Sequence, residues 1–382
     1  MLNNLQVKML RSDEAYEELD ALVSDFNIQH KTKYLQTLTK NLDNNFEGYF
    51  AVAQIDSEII AWTYVFIDGD FAFDGVLSGL GEKIYKLLPK KFKTAFISSP
   101  VAEYNMFHVS RKYKLIEALI IGKMTEEILV FLKNKKAELV IVKDHINSYN
   151  CDFYRANFIH LHFMPGTYID FNCSCFEEYL MCLKKKWRAN IRNRINRRKD
   201  DLKIEIINAA ELTEEECASC HELYFQTRDK QRLKHELLSR DYFCECGKML
   251  GEKCKMMVAK ISGKIIGFAQ LLENENDVIN VRMGMDYDCN KDYNLYHHLL
   301  YKNIIYCLEN NKKRLYTSQT CYRPKIEAGA KLLPLHTYIY FQNQLFQKIF
   351  GRIIKSNCRC YSELLEAENP AEILAKNKKF CS

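Results

Sequence analysis

Apolar residues along this chain recur in two rhythms. Alternation with period two marks strands, and steps of three and four mark helices. The first half opens with a short strand at Gln6–Met9, then helical spacing at Asp13–Phe26 and His30–Leu42. Two strand-like runs, Tyr49–Ile55 and Ile59–Ile67, flank Asp56-Ser57-Glu58, which predicts a hairpin. Thr94–Ser98 reads as a strand, Tyr113–Asn134 as a helix, Glu138–Val142 as a strand, Ser148–Ala156 as a short helix and His160–Phe171 as one further strand.

The second half repeats this order. Ser174-x-x-Glu177 has the form of a capping box and predicts a helix with the apolar stripe Phe176, Leu180, Leu183, Trp187, Ile191 and Ile195. Leu202–Ile207 is a strand, and Thr213-x-x-Glu216 opens a helix reaching about Lys230. After a helix near Arg240–Leu250 comes a hairpin, Met256–Ile261 and Ile265–Leu272, turned at Ser262-Gly263-Lys264. Val278–Met285, Arg314–Ser318 and Leu335–Phe341 read as strands; Asp292–Asn310 and Tyr322–Gly329 read as helices. The pattern predicts two mixed α/β units, residues 1–170 and 171–345, followed by an amphipathic extension, 346–382. The shared order suggests a duplication of structure without visible sequence identity.

Composition narrows the class. The chain has 382 residues, 47% hydrophobic and 27% charged, which is ordinary globular usage. A net charge of +6 is too mild to make DNA the default partner. No apolar run approaches the ~18 residues of a membrane span, and no secretory signal pattern opens the chain, so a cytoplasmic protein is expected. All 15 cysteines lie from Cys151 onward; with an odd count and no export signal, reduced thiols are expected.

Three stretches carry candidate chemistry. Nine of the sixteen residues from Lys184 to Lys199 are cationic, and Arg188 and Arg192 share a helix face at i, i+4. Guanidinium forks suit phosphate or carboxylate, although such a run also serves as a solvated face. Gln319-Thr320-Cys321-Tyr322-Arg323-Pro324-Lys325 follows a short strand, the place where open α/β sheets bind ligands. There Tyr322 is a candidate proton donor, Gln319 and Thr320 are candidate orienting groups for a carbonyl or amine, and Lys325 is a candidate anion contact; the competing reading is a polar helix start. The strand ending at Asp286 offers a candidate base, with Tyr293 and Tyr296 beyond it as candidate substrate contacts. Loop aspartates more commonly cap or turn the chain.

Taken together, Phe176-Glu-Glu-Tyr-Leu-x-x-Leu, Arg188-x-Asn-Ile-Arg-x-Arg, Tyr293-Asn-Leu-Tyr and Gln319-Thr-x-Tyr-x-x-Lys-x-x-x-Gly329 resemble acyltransferases of the GNAT superfamily, in the double-domain branch related to Fem-type peptidyltransferases. The resemblance implies an α/β (α+β) fold of two tandem GNAT-like domains, each a mixed central sheet flanked by helices, with Tyr322 as acid and Asp286 as base. It implies transfer of an acyl group from acyl-CoA or an acyl carrier protein to an amine of a small metabolite or amino-acid derivative, with no tightly bound cofactor. Aminoacyl-tRNA-dependent peptide-bond formation and a non-catalytic anion-binding module are the alternatives. GNAT enzymes cradle the coenzyme A pyrophosphate on a glycine-bearing loop, whereas the matching stretch here, Asp286-Tyr-Asp-Cys-Asn-Lys-Asp-Tyr, has no glycine. The long helical-hairpin arm of some Fem-type enzymes is not apparent either.

Other signals are set aside. Cys217-Ala-Ser-Cys220-His221 has the spacing of a haem attachment motif but falls inside a helix pattern. A zinc set from Cys217, Cys220, Cys244, Cys246 and Cys254 has poor spacing, and buried free thiols are the simpler reading. His160 and His162 share one strand face, a metal pair or simply a polar face. No metal site is assigned on this basis.

Overall fold

The computed structural model describes residues 4–14, 17–23, 27–42, 46–72, 91–99, 104, 107–146, 157–197, 200–231 and 237–376. The helix expected at Ser148–Ala156 lies outside these residues. The chain divides into two units. The first is chiefly Met1–Pro165 with Pro334–Glu363, and the second is Gly166–Lys234 and Leu238–Leu333 with Leu364–Ser382. The segments 1–170 and 171–345 therefore interleave at their ends.

In the first unit the strands are β1 (Leu5–Arg11), β2 (Phe46–Ile55), β3 (Glu58–Phe71), β4 (Phe92–Ile97), β5 (His108–Val109), β6 (Leu139–His145) and β7 (Ile159–His162). The second has β8 (Gly166–Asp170), β9 (Lys203–Asn208), β10 (Cys254–Ile261), β11 (Lys264–Glu273), β12 (Asp277–Met285), β13 (Arg314–Tyr316) and β14 (Lys331–Leu333); β15 (His336–Phe341) follows them in sequence. The sheets run β1-β2-β3-β4-β6-β15-β7 and β9-β10-β11-β12-β13-β8-β14. Position by position the two orders correspond, which bears out the duplicated pattern. Each sheet takes its penultimate strand from the other half of the sequence: β15 lies between β6 and β7, and β8 lies between β13 and β14.

Both hairpins turn the same way. Asp56 and Ser57 have φ of 48° and 70°, and Ser262 and Gly263 have 48° and 83°. Two consecutive positive φ values match the right-handed twist of paired strands.

The helices are α1 (Thr32–Lys40), α2 (Glu117–Asn134), α3 (Phe176–Met181), α4 (Lys185–Asn196), α5 (Glu214–Lys230), α6 (Tyr242–Leu250), α7 (Tyr287–Tyr293), α8 (Leu295–Glu309), α9 (Tyr322–Glu327), α10 (Gln344–Glu366) and α11 (Pro370–Lys376). In the first unit Ile120, Met124 and Ile128 of α2 pack on Ala51, Val65, Ile97 and Val140 of the sheet. In the second, Ile191 of α4 and Leu295, Leu299 and Ile304 of α8 pack on Met257, Ala269, Val278 and Leu315. Each such aliphatic side chain removed from water contributes about 2 kcal/mol before ordering costs.

Four expectations change. Asp13–Phe26 is not an α-helix where described; Ser12–Glu14 and Glu17–Leu22 are 3-10 turns. His160–Phe171 is two strands in two sheets, broken where Met164 takes φ 46° and Pro165 lacks an N–H. The stripe from Phe176 to Ile195 spans two helices, because Lys184 is extended at φ −55°, ψ 139°. Asp292–Asn310 is likewise split, at Asn294, whose φ of 50° is a conformation that asparagine tolerates. The capping box at Thr213 and Glu216 forms as expected. Ser174, by contrast, bonds Glu178 rather than Glu177, through both N and Oγ.

Candidate active site

In the second sheet β12 and β13 form the parallel pair, joined only at Asp277–Arg314, Val278–Leu315 and Ile279–Tyr316. Beyond these three pairs β12 continues along β11 to Met285, while the chain after Tyr316 turns away into α9. The two strands part at their carboxyl ends, where a sheet of this kind exposes backbone groups to a ligand. Ser318 Oγ donates to Asn280 O at 2.8 Å and ties the root of the opening.

The turn into α9 is tightly determined. Ser318, Thr320 and Cys321 take φ of 58°, 62° and 45°, each costing on the order of 1 kcal/mol for a non-glycine residue. Lys325 compensates: its Nζ is buried and donates to Gln319 O at 2.8 Å and Ser318 O at 3.2 Å. The expected anion contact is thus an internal clamp that binds the turn through two carbonyls.

Tyr322 begins α9 and is 2% exposed; Gln319 and Thr320 are half-buried on the turn. Tyr296, in the first turn of α8, lies beside Cys321. Burial first, and Cys321 next, push its phenol well above the ordinary tyrosine value. Tyr287 approaches Cys321 from α7, and burial raises its phenol also. The structure thus gathers Gln319, Thr320, Tyr322, Lys325 and Tyr296. Tyr293 points elsewhere, donating from its hydroxyl to Asp201 Oδ2 at 2.8 Å.

Asp286 is the N-cap of α7. Its Oδ1 accepts from the backbone N–H of Asp288 at 2.9 Å and of Cys289 at 3.1 Å. The amides that a phosphate would seek at this strand-to-helix junction are therefore occupied by a carboxylate of the chain itself.

Arg188 and Arg192 share a face as expected, and both reach back to α3. Arg188 Nη1 donates to Met181 O at 3.3 Å, and Arg192 Nη2 pairs with Glu177 Oε2 at 2.5 Å. Arg194, which the i, i+4 argument passed over, goes the other way. Its Nη1 donates to Tyr301 Oη on α8 at 3.1 Å and lies 4.0 Å from Glu327 Oε2 on α9. Burial first, then the Arg194 charge, lower His297 to about 4, so this imidazole stays neutral. The sequence signal for Arg194 was its place beside Ile191 and Ile195, on the border of the apolar stripe. A second tie joins α3 to the end of α9: the Tyr179 hydroxyl donates to Ala328 O. Gly329, at φ 101°, has no room for a Cβ beside that phenol.

The cysteines depart from the all-reduced expectation. Cys217 and Cys244 form a disulfide between α5 and α6. Cys220 is buried, and His221 Nε2 meets Leu238 O at 3.0 Å, which uses the remaining positions of the haem-like motif locally. Cys246 and Cys254 are buried around Gln270 Nε2, at 3.4 and 3.6 Å. Among the described residues no cysteine joins a group of three convergent metal donors.

Two mixed sheets of matching order, each with helices packed on it, define a tandem GNAT-type fold. A FemAB-like family model, described as peptidoglycan biosynthesis/recognition, matches residues 32–370, and the chain belongs to that family. Among solved structures, that of FemX superposes with a TM-score of 0.56 at 11% identity, covering 91% of this chain and 100% of that one. The structure of L-PGS from Bacillus licheniformis gives 0.53 at 11% identity, over 89% and 97%. A tandem GNAT protein from the clavulanic acid biosynthesis pathway gives 0.50 at 10%, over 88% and 99%. A search of curated proteins finds no match. Among the described residues no helix is long and apolar enough to cross a membrane.

Proposed function

We propose that this protein is an aminoacyltransferase that moves an aminoacyl group from a tRNA-linked ester to an amine of a peptidoglycan precursor. The observation that carries the choice of donor is the capping of α7 by Asp286. A coenzyme A pyrophosphate bound in the GNAT manner would have to displace that carboxylate or sit against its charge. A tRNA-linked donor makes no such demand. It is a polyanion, and α4 with its two flanking caps presents exposed Lys184, Lys185, Lys186 and Arg197 to phosphate. The family's description, peptidoglycan biosynthesis/recognition, supports an acceptor of that class.

In this reading the acceptor amine attacks the ester carbonyl held at the opening between β12 and β13. A C–N bond forms, the ester C–O bond breaks, and the amine releases its proton to solvent. Tyr322 donates a proton to the departing ribose oxygen, Gln319 and Thr320 orient the carbonyl, and the Lys325 clamp fixes the turn that carries all three. Orientation of the two reactants supplies much of the rate. Asp286 acts as the cap, and no proton transfer is routed through it.

The test is a donor panel with purified protein: aminoacyl-tRNAs, acyl-CoAs and acyl carrier proteins, each with muropeptide acceptors. Transfer from aminoacyl-tRNA at a rate well above the others supports the proposal. Transfer from acyl-CoA at an equal or greater rate overturns it.

A further inference from the structure

We propose that His160, His162 and His336 form a three-imidazole site for one zinc(II) ion in the first unit, independent of the transfer site. The strands bring the three together. β7 and β15 are antiparallel, with His162 opposite His336 and His160 opposite Tyr338. Side chains two apart on a strand share a face, and directly opposed residues share it too. His160 and His162 of β7 therefore converge with His336 of β15, and one nitrogen from each ring lies within 4.8 Å of the others.

The details suit a metal. His160 Nε2 and His336 Nδ1 are 2.8 Å apart. Without an ion, one of them must be the N–H donor. With both in the tautomer that frees these nitrogens, two lone pairs face one point, and a shift of about 0.5 Å opens the pair to the N···N edge of a tetrahedral zinc site, roughly 3.3 Å for Zn–N bonds of about 2.0 Å. His162 already has its tautomer set: its Nδ1–H donates to Leu335 O at 3.1 Å, leaving the Nε2 lone pair to coordinate. A ring N–H held by a backbone carbonyl is the usual support behind a metal-bound histidine. Tyr338, stacked on His160 with centroids 4.9 Å apart, holds that ring in place.

The donor set chooses the ion. Three imidazoles without a carboxylate favour zinc, nickel or copper over magnesium or calcium, and zinc accepts three protein ligands with water in the fourth position. Lys355 is the neighbouring cation that opposes a bound charge; it is exposed and well hydrated. A bound ion would join segments 176 residues apart in sequence and fasten the edge strand β7 to β15.

The experiment uses the full chain, stripped with chelator and titrated with zinc chloride, with cobalt(II) chloride as a spectroscopic probe. The expected results are one zinc per chain by elemental analysis, a rise in Tm on binding, and tetrahedral cobalt d–d bands without thiolate charge-transfer absorption. His336→Gln and His162→Gln should each weaken zinc binding by roughly tenfold or more. His162, half-buried, is the variant less prone to disturb the fold, and circular dichroism confirms it. No stoichiometric binding by the intact protein, thiolate charge-transfer bands, or a folded His162→Gln that binds zinc as the parent does would each overturn the proposal.

Discussion

Arg194 Nη1 lies 4.0 Å from Glu327 Oε2, and the same nitrogen donates to Tyr301 Oη at 3.1 Å. One guanidinium thereby connects the cationic helix α4 to the helix that carries Tyr322. Both ends of the pair are largely shielded, with side chains 29% and 17% exposed. Glu327 also pairs with Arg323 at 3.0 Å, so a double-mutant cycle of Arg194→Ala and Glu327→Ala, followed by urea unfolding, should give a coupling of about 0.5 kcal/mol. Arg194→Ala should also slow aminoacyl transfer at least tenfold, whereas Arg192→Ala, which removes only the outward pair with Glu177, should change it little. Equal effects of the two substitutions would contradict the bridging role.

Asp286 is assigned a structural task, and two substitutions separate it from a chemical one. Asp286→Asn retains a cap-forming oxygen and should keep stability within about 0.5 kcal/mol and transfer close to the parent rate. Asp286→Ala frees the amides of Asp288 and Cys289 and should cost about 1 kcal/mol. A large loss of transfer in a stable Asp286→Asn protein would restore the carboxylate as a base.

His297 makes the second unit acid-sensitive. Its folded pKa lies near 4, below the ordinary 6.5, first through burial and then through Arg194. The folded state resists the proton that the unfolded state accepts. The contribution is therefore fully present above pH 6.5, falls as the pH drops from 6.5 towards 4, and is absent below that. The shift bounds it at about 3 kcal/mol, and solvent at the ring's open edge reduces this. Urea midpoints measured across that range should fall with acid for the parent and fall less for His297→Asn.

The exposed lysines of α4 should act on donor binding rather than on chemistry. Lys185→Glu and Lys186→Glu are expected to raise KM for aminoacyl-tRNA, with kcat nearly unchanged. They should also flatten the salt dependence of tRNA binding, by about one unit of slope for each phosphate no longer neutralised. Filter binding across a salt series reads this directly.

The sheets were legible because alternation and hairpin turns are local: Tyr49–Ile55 with Ile59–Ile67 and Met256–Ile261 with Ile265–Leu272 each appear in the structure within a few residues. The exchange of β8 and β15 was not legible, since periodicity tells which face of a strand is buried but not which sheet receives it. The break at Lys184 was hidden for a related reason: Leu180, Leu183 and Trp187 keep steps of three and four across it. The turn from Gln319 to Lys325 was singled out as a candidate by its polarity and its place after a strand. The actual task of Lys325 needed the positions of two backbone carbonyls. Spacing picked Arg188 and Arg192 because they form a visible row, whereas Arg194 is defined by partners on α8 and α9, more than a hundred residues away.

In the proposed reaction, transfer occurs at the turn where β12 and β13 part, with Tyr322 as proton donor. The most direct measurement is the single-turnover rate of aminoacyl transfer for Tyr322→Phe, beside its urea unfolding midpoint. The rate should fall at least a hundredfold with the midpoint nearly unchanged. A Tyr322→Phe protein that folds normally and transfers at the parent rate would contradict it.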